Sequence, residues 1–435
     1  MDNKLPRVLV ISSVDPYIGP GIVGLQHYNA LKRGGLEVDF LTKYPVIEHP
    51  EFISVYGRHP NRIETFIAKV EKKIKKTFHL DSLVCQEPTY FFFYKNEILP
   101  EVPVEKVIEK IKKEYDVVYI LFWQGLLSFA TINALYDKLR CQFQFRCVDY
   151  SPMAGGCHFT GDCQRYKTGC GCCPGIKSHK DHDFTSWNVK YRQKIYEKVK
   201  PVVYGNSYMN TFYRKSYLLK DYNRLEVAYP LMDNNAFQPL DMATCRRQYN
   251  VQKEKEFVIF FGCQGLNDKR KGISFLLDAL NIFHNRLTVS ERNKILLVVA
   301  GRDIEEIQDL LKFDYKYLGY VSLSELPSIY SMSNVYLSPT VNDAGPSMVN
   351  QSLSCGTPVV AFEMGTALDV IKDRGTGYCA ELRNVEDFAN GIEHIFRMES
   401  MDYIQMRDKC RQIALSLTSE EAFVDRFLMT YMKYK

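Results

Sequence analysis

The sequence predicts an α/β protein of two domains, each a mostly parallel sheet covered by helices, and three observations carry that expectation. A chain of 435 residues exceeds what one hydrophobic core usually supports. Short β-rich runs at 8–12, 38–41, 117–122, 144–148 and 202–204 each precede a helical pattern. The alternation restarts at 257–261, 295–300, 335–337 and 358–362, after a turn-rich stretch at 229–239 where Pro230 and Pro239 flank Asp233, Asn234 and Asn235. With 46% hydrophobic and 25% charged residues the composition is that of an ordinary globular protein with no long disordered tract.

The first β-rich run lacks the small-residue cleavage site of a signal peptide, so a cytoplasmic protein is expected. It leads into Gly19-Pro20-Gly21-Ile22-Val23-Gly24, a G-x-G-x-x-G match at a helix start. Asp15-Pro16-Tyr17-Ile18 lengthens the loop beyond that of a dinucleotide fold, which leaves a glycine turn where backbone N–H groups favour an anion or an acceptor. Further on, Ile63, Phe66, Ile67, Val70, Ile74 and Phe78 fall on one helical face and Lys69, Lys72, Lys73, Lys75 and Lys76 on the rest. Such a basic amphipathic helix either lies in an anionic headgroup layer or packs on its own domain. The uncharged stretch 117–136 is long enough to span a bilayer, but Gln124 and Gly125 divide it into a strand and an amphipathic start at Leu126, Leu127 and Ala130. The net charge of +5 is uneven, +7 over residues 1–200 and −2 beyond. That excludes a dedicated nucleic-acid binder and suits a face meeting anionic lipid or a phosphorylated acceptor, or a plain solvated surface.

Of 13 cysteines, Cys157, Cys163, Cys170, Cys172 and Cys173 fall within seventeen residues rich in glycine. In a cytoplasmic protein this density points to metal before disulfides. Cys157, Cys163, Cys170 and Cys173 can supply four thiolates to a structural zinc, with Cys172 or His158 as substitutes. An iron–sulfur cluster, disulfides and free thiols are the other readings. Asp181-His182-Asp183 has the form of a metal-binding Asp-x-Asp, but it sits in a polar run rather than at the end of a hydrophobic strand.

Two stretches of the second half carry the candidate chemistry. Between Gly262 and Gly272 a loop follows a strand and ends in Lys269-Arg270-Lys271 at a helix start. Cations there oppose the helix dipole, and a bound pyrophosphate would relieve the conflict. From Thr340 the sequence reads loop, helix, loop, strand. Pro346 suits the first helical turn, Gly356 suits the cap that ends it, and Asp343 to Gly345 lie where the dipole is positive. Gln351, expected about two turns into the helix, is a polar position needing a partner such as a ligand hydroxyl.

Ser354-Cys355-Gly356-Thr357-Pro358-Val359-Val360-Ala361 resembles the run that follows the paired glutamates of glycosyltransferase family 4. In place of the two glutamates, which have seven residues between them, the chain has Asp343 and Gln351. The resemblance extends to Arg270-Lys271-Gly272, similar to the family's diphosphate element, and to Gly365-Thr366-Ala367-Leu368-Asp369, similar to its glycine loop. It also takes in Leu318-Gly319-Tyr320-Val321 through Tyr330, similar to the stretch that cradles the base. Val148-Asp149-Tyr150-Ser151-Pro152-Met153-Ala154-Gly155-Gly156-Cys157-His158 resembles a motif of one subset of that family, with Val148 where the subset has a His. The same subset carries the cysteine spacing, which makes Cys172 the extra thiol.

This resemblance implies a GT-B fold, two Rossmann-like domains facing a cleft: residues 1–235 for the acceptor, 236–415 for the nucleotide sugar, and 416–435 a helix crossing back. It implies a retaining transferase that moves a sugar from a nucleotide diphosphate, UDP or GDP, to a glycan or polyprenyl-diphosphate-linked acceptor in surface polysaccharide synthesis. The protein would be cytoplasmic and peripheral on the inner face of the membrane. Asp343, Asp149, Arg270 and Lys271 would be catalytic. Gly19, Gly21, Gly262, Gly345, Pro346, Ser347, Met348, Gln351 and Tyr320 would bind substrate or nucleotide, with no cofactor required for transfer. Val148 and Gln351 also admit a catalytically impaired sugar-nucleotide-binding homologue. A nucleotide-sugar epimerase and an NAD-dependent oxidoreductase are the remaining alternatives.

Overall fold

A computed structural model of the chain describes residues 5–18, 21–77, 97–98, 100–147 and 149–435, over 71–77 the backbone only. Two compact units emerge, one of Met1–Gly205, Met209–Ala228 and Val424–Lys435, the other of Asn206–Tyr208 and Tyr229–Phe423.

The first unit is built on seven parallel strands: β1 (Arg7–Ser12), β2 (Glu37–Thr42), β3 (Ile53–Ser54), β4 (Val117–Phe122), β5 (Gln142–Phe145), β6 (Val202–Gly205) and β7 (Leu225–Val227). Their order is β3-β2-β1-β4-β5-β6-β7. β4, Val-Val-Tyr-Ile-Leu-Phe, is buried throughout, as a central parallel strand covered on both faces must be. The strand expected at 144–148 begins two residues earlier, at Gln142. The amides of Gln142 and Gln144 bond each other inside the sheet, and Gln144 also accepts from the Tyr204 hydroxyl at 2.9 Å, so polar residues occupy strand positions that the hydrophobic pattern skipped.

After β4 the chain turns at Leu126 and Leu127, both bonded back to the Trp123 carbonyl, and the helix Phe129–Leu139 starts behind the N-cap Ser128. The amphipathic start expected at Leu126 is therefore this turn, because the Ser128 capping box fixes the first helical residue. Among the described residues no helix is long and apolar enough to cross a membrane. Residues of the terminal helix Glu420–Tyr434 pack within this unit, Phe427 edge-on to Tyr119 at 5.6 Å and the Tyr434 hydroxyl on Glu226 at 2.5 Å.

In the second unit six parallel strands, β8 (Phe257–Gly265), β9 (Ile295–Arg302), β10 (Tyr315–Tyr317), β11 (Val335–Ser338), β12 (Val359–Phe362) and β13 (Gly377–Ala380), take the order β10-β9-β8-β11-β12-β13. Successive side chains point to opposite faces. Phe257, Ile259, Phe261, Leu297, Val299, Leu337 and Val360 enter one core; Val258, Phe260, Leu296, Val298, Tyr336 and Val359 enter the other. The chain builds outward from β8 through β9 to β10, then crosses to β11 and builds the other way. β8 and β11 are therefore the point at which strand order reverses, and their carboxyl ends border the crevice where open sheets of this kind bind ligands.

Candidate functional site

Both stretches that carry the candidate chemistry leave the sheet at that reversal. The loop after β8 ends in the 3₁₀ turn Lys269–Lys271, whose N-cap is Asp268, and Gly272 follows with φ +68°. A Cβ on Gly272 would stand 2.0 Å from the Pro339 carbonyl oxygen, so only glycine lets the two loops touch. The backbone joins them, with the N–H groups of Val341 and Asn342 donating to the Arg270 carbonyl at 2.9 and 3.3 Å.

Two of the three cations of this turn have carboxylate partners within the protein. Lys271 Nζ lies 2.6 Å from Asp343 Oδ2, and Arg270 reaches Asp268 at 2.8 Å. The clash of cations with a helix dipole, expected to call for an anion, is thus answered within the protein by Asp268 and Asp343. Burial would raise the Asp343 carboxyl pKa. The Lys271 charge and hydrogen bond, the Gly345 N–H and the Arg270 charge outweigh it and hold the group below the usual carboxylate range.

Beyond Gly345 the helix Ser347–Ser354 begins with Pro346 as its N-cap, one residue outside the first turn where it was expected, and no side chain caps it. Ser347 and Met348 open this helix, where backbone N–H groups and the dipole favour an anion. Gln351 is the fifth residue, one turn in rather than two. Its partner is a protein group: the buried Tyr330 hydroxyl donates to Gln351 Oε1 at 3.1 Å. Burial holds the Tyr330 phenol well above its ordinary pKa, so it remains a donor. That bond uses one of the two lone pairs of the carbonyl oxygen, so Gln351 offers a ligand its amide N–H groups and at most one further acceptor position.

The loop after β12 packs against this helix start. Asn350 Nδ2 donates to Thr366 Oγ1 at 3.2 Å, and a Cβ on Gly365 would stand 2.9 Å from Pro346 Cδ. Asn350 Oδ1 is buried without a partner. Asp369 accepts from the backbone N–H of Ser207 at 3.1 Å and from its hydroxyl; burial, against these bonds, raises its carboxyl pKa. Gly262 lies within β8, close to Ala300 of β9, rather than in the loop that follows. Tyr320 is 63% exposed beyond β10, with the Arg302 guanidinium 5.1 Å from its ring.

In the first unit Gly21 opens the helix Gly21–Arg33, and a Cβ there would collide with the Asp15 carbonyl. Gly19 and Val148 lie outside the described residues. Asp149, beyond β5, is 4% exposed, accepts from Ser151 N at 2.8 Å and forms a short hydrogen bond with His158 Nδ1. A buried network unforeseen from the sequence fixes the neighbouring backbone. Arg192 pairs with Glu97 and donates to the Ser151 and Ala154 carbonyls, while Glu97 also accepts from Phe129 N at 2.9 Å. The signal available was a Glu and an Arg at positions that a helical or turn pattern would bury, too weak at a separation of 95 residues.

Asp183 of the Asp-x-Asp sequence is the N-cap of the helix Phe184–Val199, accepting from Thr185 N at 2.8 Å, so its carboxylate is committed to structure. No disulfide joins the cysteines of the cluster. Cys157, Cys163, Cys170 and Cys173 line one cavity, whereas Cys172 donates to Asp181 Oδ1 at 3.1 Å. Among the described residues no three His, Cys, Asp or Glu side chains are placed to hold a metal ion as they stand.

Residues 241–416 match the family model for glycosyl transferases group 1. A Klebsiella pneumoniae protein described as an uncharacterized 41.2 kDa protein in the cps region is 24% identical over 257 residues, 58% of this chain and 68% of its own. A D-inositol 3-phosphate glycosyltransferase of Pseudarthrobacter chlorophenolicus is 24% identical over 47% of this chain, and the chain spans about half, 52%, of its length. An uncharacterized glycosyltransferase of Methanocaldococcus jannaschii is 27% identical over 34% of this chain and 38% of its own. Among solved structures, sucrose-phosphate synthase from Thermosynechococcus elongatus superposes with a TM-score of 0.63 at 17% identity, covering 98% of both chains. Anabaena HepE in complex with UDP-glucose superposes at 0.60 and 14% identity, covering 99% of this chain and 100% of its own. The fold is that of the GT-B glycosyltransferases, and the sequence likenesses support a glycosyltransferase.

Proposed function

We propose that the protein is a retaining glycosyltransferase that takes a sugar from a nucleotide diphosphate, UDP or GDP, and transfers it to a glycan or polyprenyl-diphosphate-linked acceptor. The observation that carries this reading is the meeting of Arg270, Lys271 and an uncapped helix start at the strand reversal of the second unit. Two cations and a set of backbone donors there can neutralise the charge that grows on a leaving diphosphate, without a divalent cation. Anabaena HepE, of the same fold, has been crystallised with UDP-glucose, which favours a donor of that class.

In this reading the incoming diphosphate displaces Asp343 from Lys271, and the released carboxylate turns to the transferring sugar. Gln351 donates an amide N–H to a ribose oxygen, and Tyr320 offers a ring near the base. The first unit receives the acceptor through the helix start at Gly21 and the Asp149–His158 pair. The cps region that holds the Klebsiella relative suits a surface polysaccharide pathway. The helix Arg62–Thr77 suits peripheral attachment to the cytoplasmic face of the membrane, since Ile63, Phe66, Ile67 and Val70 are all exposed along one stripe.

Titration calorimetry with UDP-, GDP- and ADP-sugars tests the site. One donor class should bind, and Lys271→Ala should raise its dissociation constant at least tenfold with the fold unchanged by circular dichroism. Equal affinity in the variant removes the diphosphate assignment. The second reading, a homologue that binds but does not transfer, is favoured by the partly occupied carbonyl of Gln351. Tight donor binding with neither transfer nor donor hydrolysis would decide for it.

A further inference from the structure

We propose that Cys157, Cys163, Cys170 and Cys173 form a tetrahedral site for one structural zinc ion, with Cys172 excluded from it. The four line a cavity of about 20 Å³, room for one water-sized body. The rest of its wall is largely glycine backbone and uncharged side chains, Arg165 the one charged group. Five neighbouring cysteines are thereby sorted into four that face a common centre and one, Cys172, tied to Asp181. His158, the other substitute, is engaged with Asp149.

The backbone around the cavity is shaped at some cost. Gly169, Cys170, Gly171 and Cys172 carry φ of +98°, +62°, +88° and +42° in succession. Two non-glycine residues in the left-handed region cost on the order of 1 kcal/mol each unless something over-determines them. A Cβ on Gly171 would stand 2.1 Å from the Asp181 carbonyl, so the chain is pressed into this path. Its result is to aim Cys170 and Cys173 at Cys157 and Cys163. The N–H groups of Gly175 and Ile176 point at the Cys173 sulfur and that of Gly155 at the Cys170 sulfur, donors that favour thiolates.

The four stand around the void rather than drawn together in ligating positions. Zinc binding would release four protons to solvent and draw the sulfurs in to about 2.3 Å from the ion. The resulting doubly negative centre would be offset by Arg165 and the backbone donors. Because Cys157 precedes His158, the ion would also anchor the strand of chain that carries the Asp149–His158 pair.

The test is elemental analysis of the full chain purified without oxygen, followed by exchange of the bound metal for Co²⁺. One zinc per chain and the intense d–d and sulfur-to-cobalt absorption of a tetrahedral four-thiolate site are expected. Cys172→Ser should keep one equivalent, and Cys170→Ser and Cys173→Ser should each lose most of it. Should those variants fail to fold, the cobalt spectrum of the unmodified chain still decides the ligand set. A metal-free chain with all thiols free or paired as disulfides overturns the proposal. So does iron with acid-labile sulfide, or loss of the metal in Cys172→Ser.

Discussion

At the residue scale Asp343 and Gln351 of the candidate site are each engaged by another side chain of the protein. Asp343 is held ionised by Lys271, so Asp343→Asn should free that cation and tighten binding of a nucleoside diphosphate several-fold, while lowering the rate of any transfer. Calorimetry and a product assay on one preparation separate the two effects. The same pair sets a pH dependence. A carboxyl whose folded pKa is depressed stabilises the fold above its unfolded value of about 3.9 and loses that contribution as pH falls through the lower folded value. The melting temperature of the native chain should therefore exceed that of Asp343→Asn near neutrality, and the two should converge below about pH 4. At Gln351 the Tyr330 hydroxyl has taken one lone pair of the carbonyl oxygen, leaving fewer acceptor positions than a carboxylate would have. Gln351→Glu should restore an acceptor and strengthen binding of a ribonucleotide relative to its dideoxy analogue, read as a ratio of dissociation constants. An unchanged ratio would mean that this side chain does not meet the ribose.

At the scale of elements, the close approach of two loops depends on residues with no side chain. Gly365→Ala would place a Cβ 2.9 Å from Pro346 and 3.1 Å from the Gly345 Cα, at a φ of +57°. We expect a loss of about 1–3 kcal/mol in chemical denaturation, together with weakened donor binding, because the uncapped helix start would be pushed out of place. The helix Arg62–Thr77 makes a second prediction. Ile63, Phe66 and Ile67 are 70%, 65% and 50% exposed, so among the described residues this face is available to a headgroup layer. Replacing Phe66 and Ile67 by Ser should abolish sedimentation with vesicles containing anionic lipid and leave the melting temperature within a degree or two. If the variant still sediments, the helix is not the attachment point.

For the whole molecule, two compact units imply that a donor stabilises the unit that binds it. At a donor concentration of a hundred dissociation constants the second unit should gain about 2.7 kcal/mol, seen in calorimetry as an upward shift of one transition, with amide protection concentrated in the loops after β8, β11 and β12. The sequence by itself determined the fold class, because a period-two or fully apolar run bounded by turns can become little else than a strand in a parallel sheet. It also marked Arg270, Lys271, Asp343 and the Ser347–Ser354 helix, because a basic loop and a Pro-to-Gly helix frame are local signals. Short edge strands such as β3 and β7 left no such trace, being two and three residues long and only partly buried or exposed. Only the tertiary structure decided who partners whom. Lys271 with Asp343, Tyr330 with Gln351 and Glu97 with Arg192 lie 72, 21 and 95 residues apart, and the identity of a buried polar group does not say which distant group will satisfy it. It decided likewise which four of five adjacent cysteines share a cavity, since their direction is set by the left-handed turn at Gly169 to Cys172 and not by their spacing.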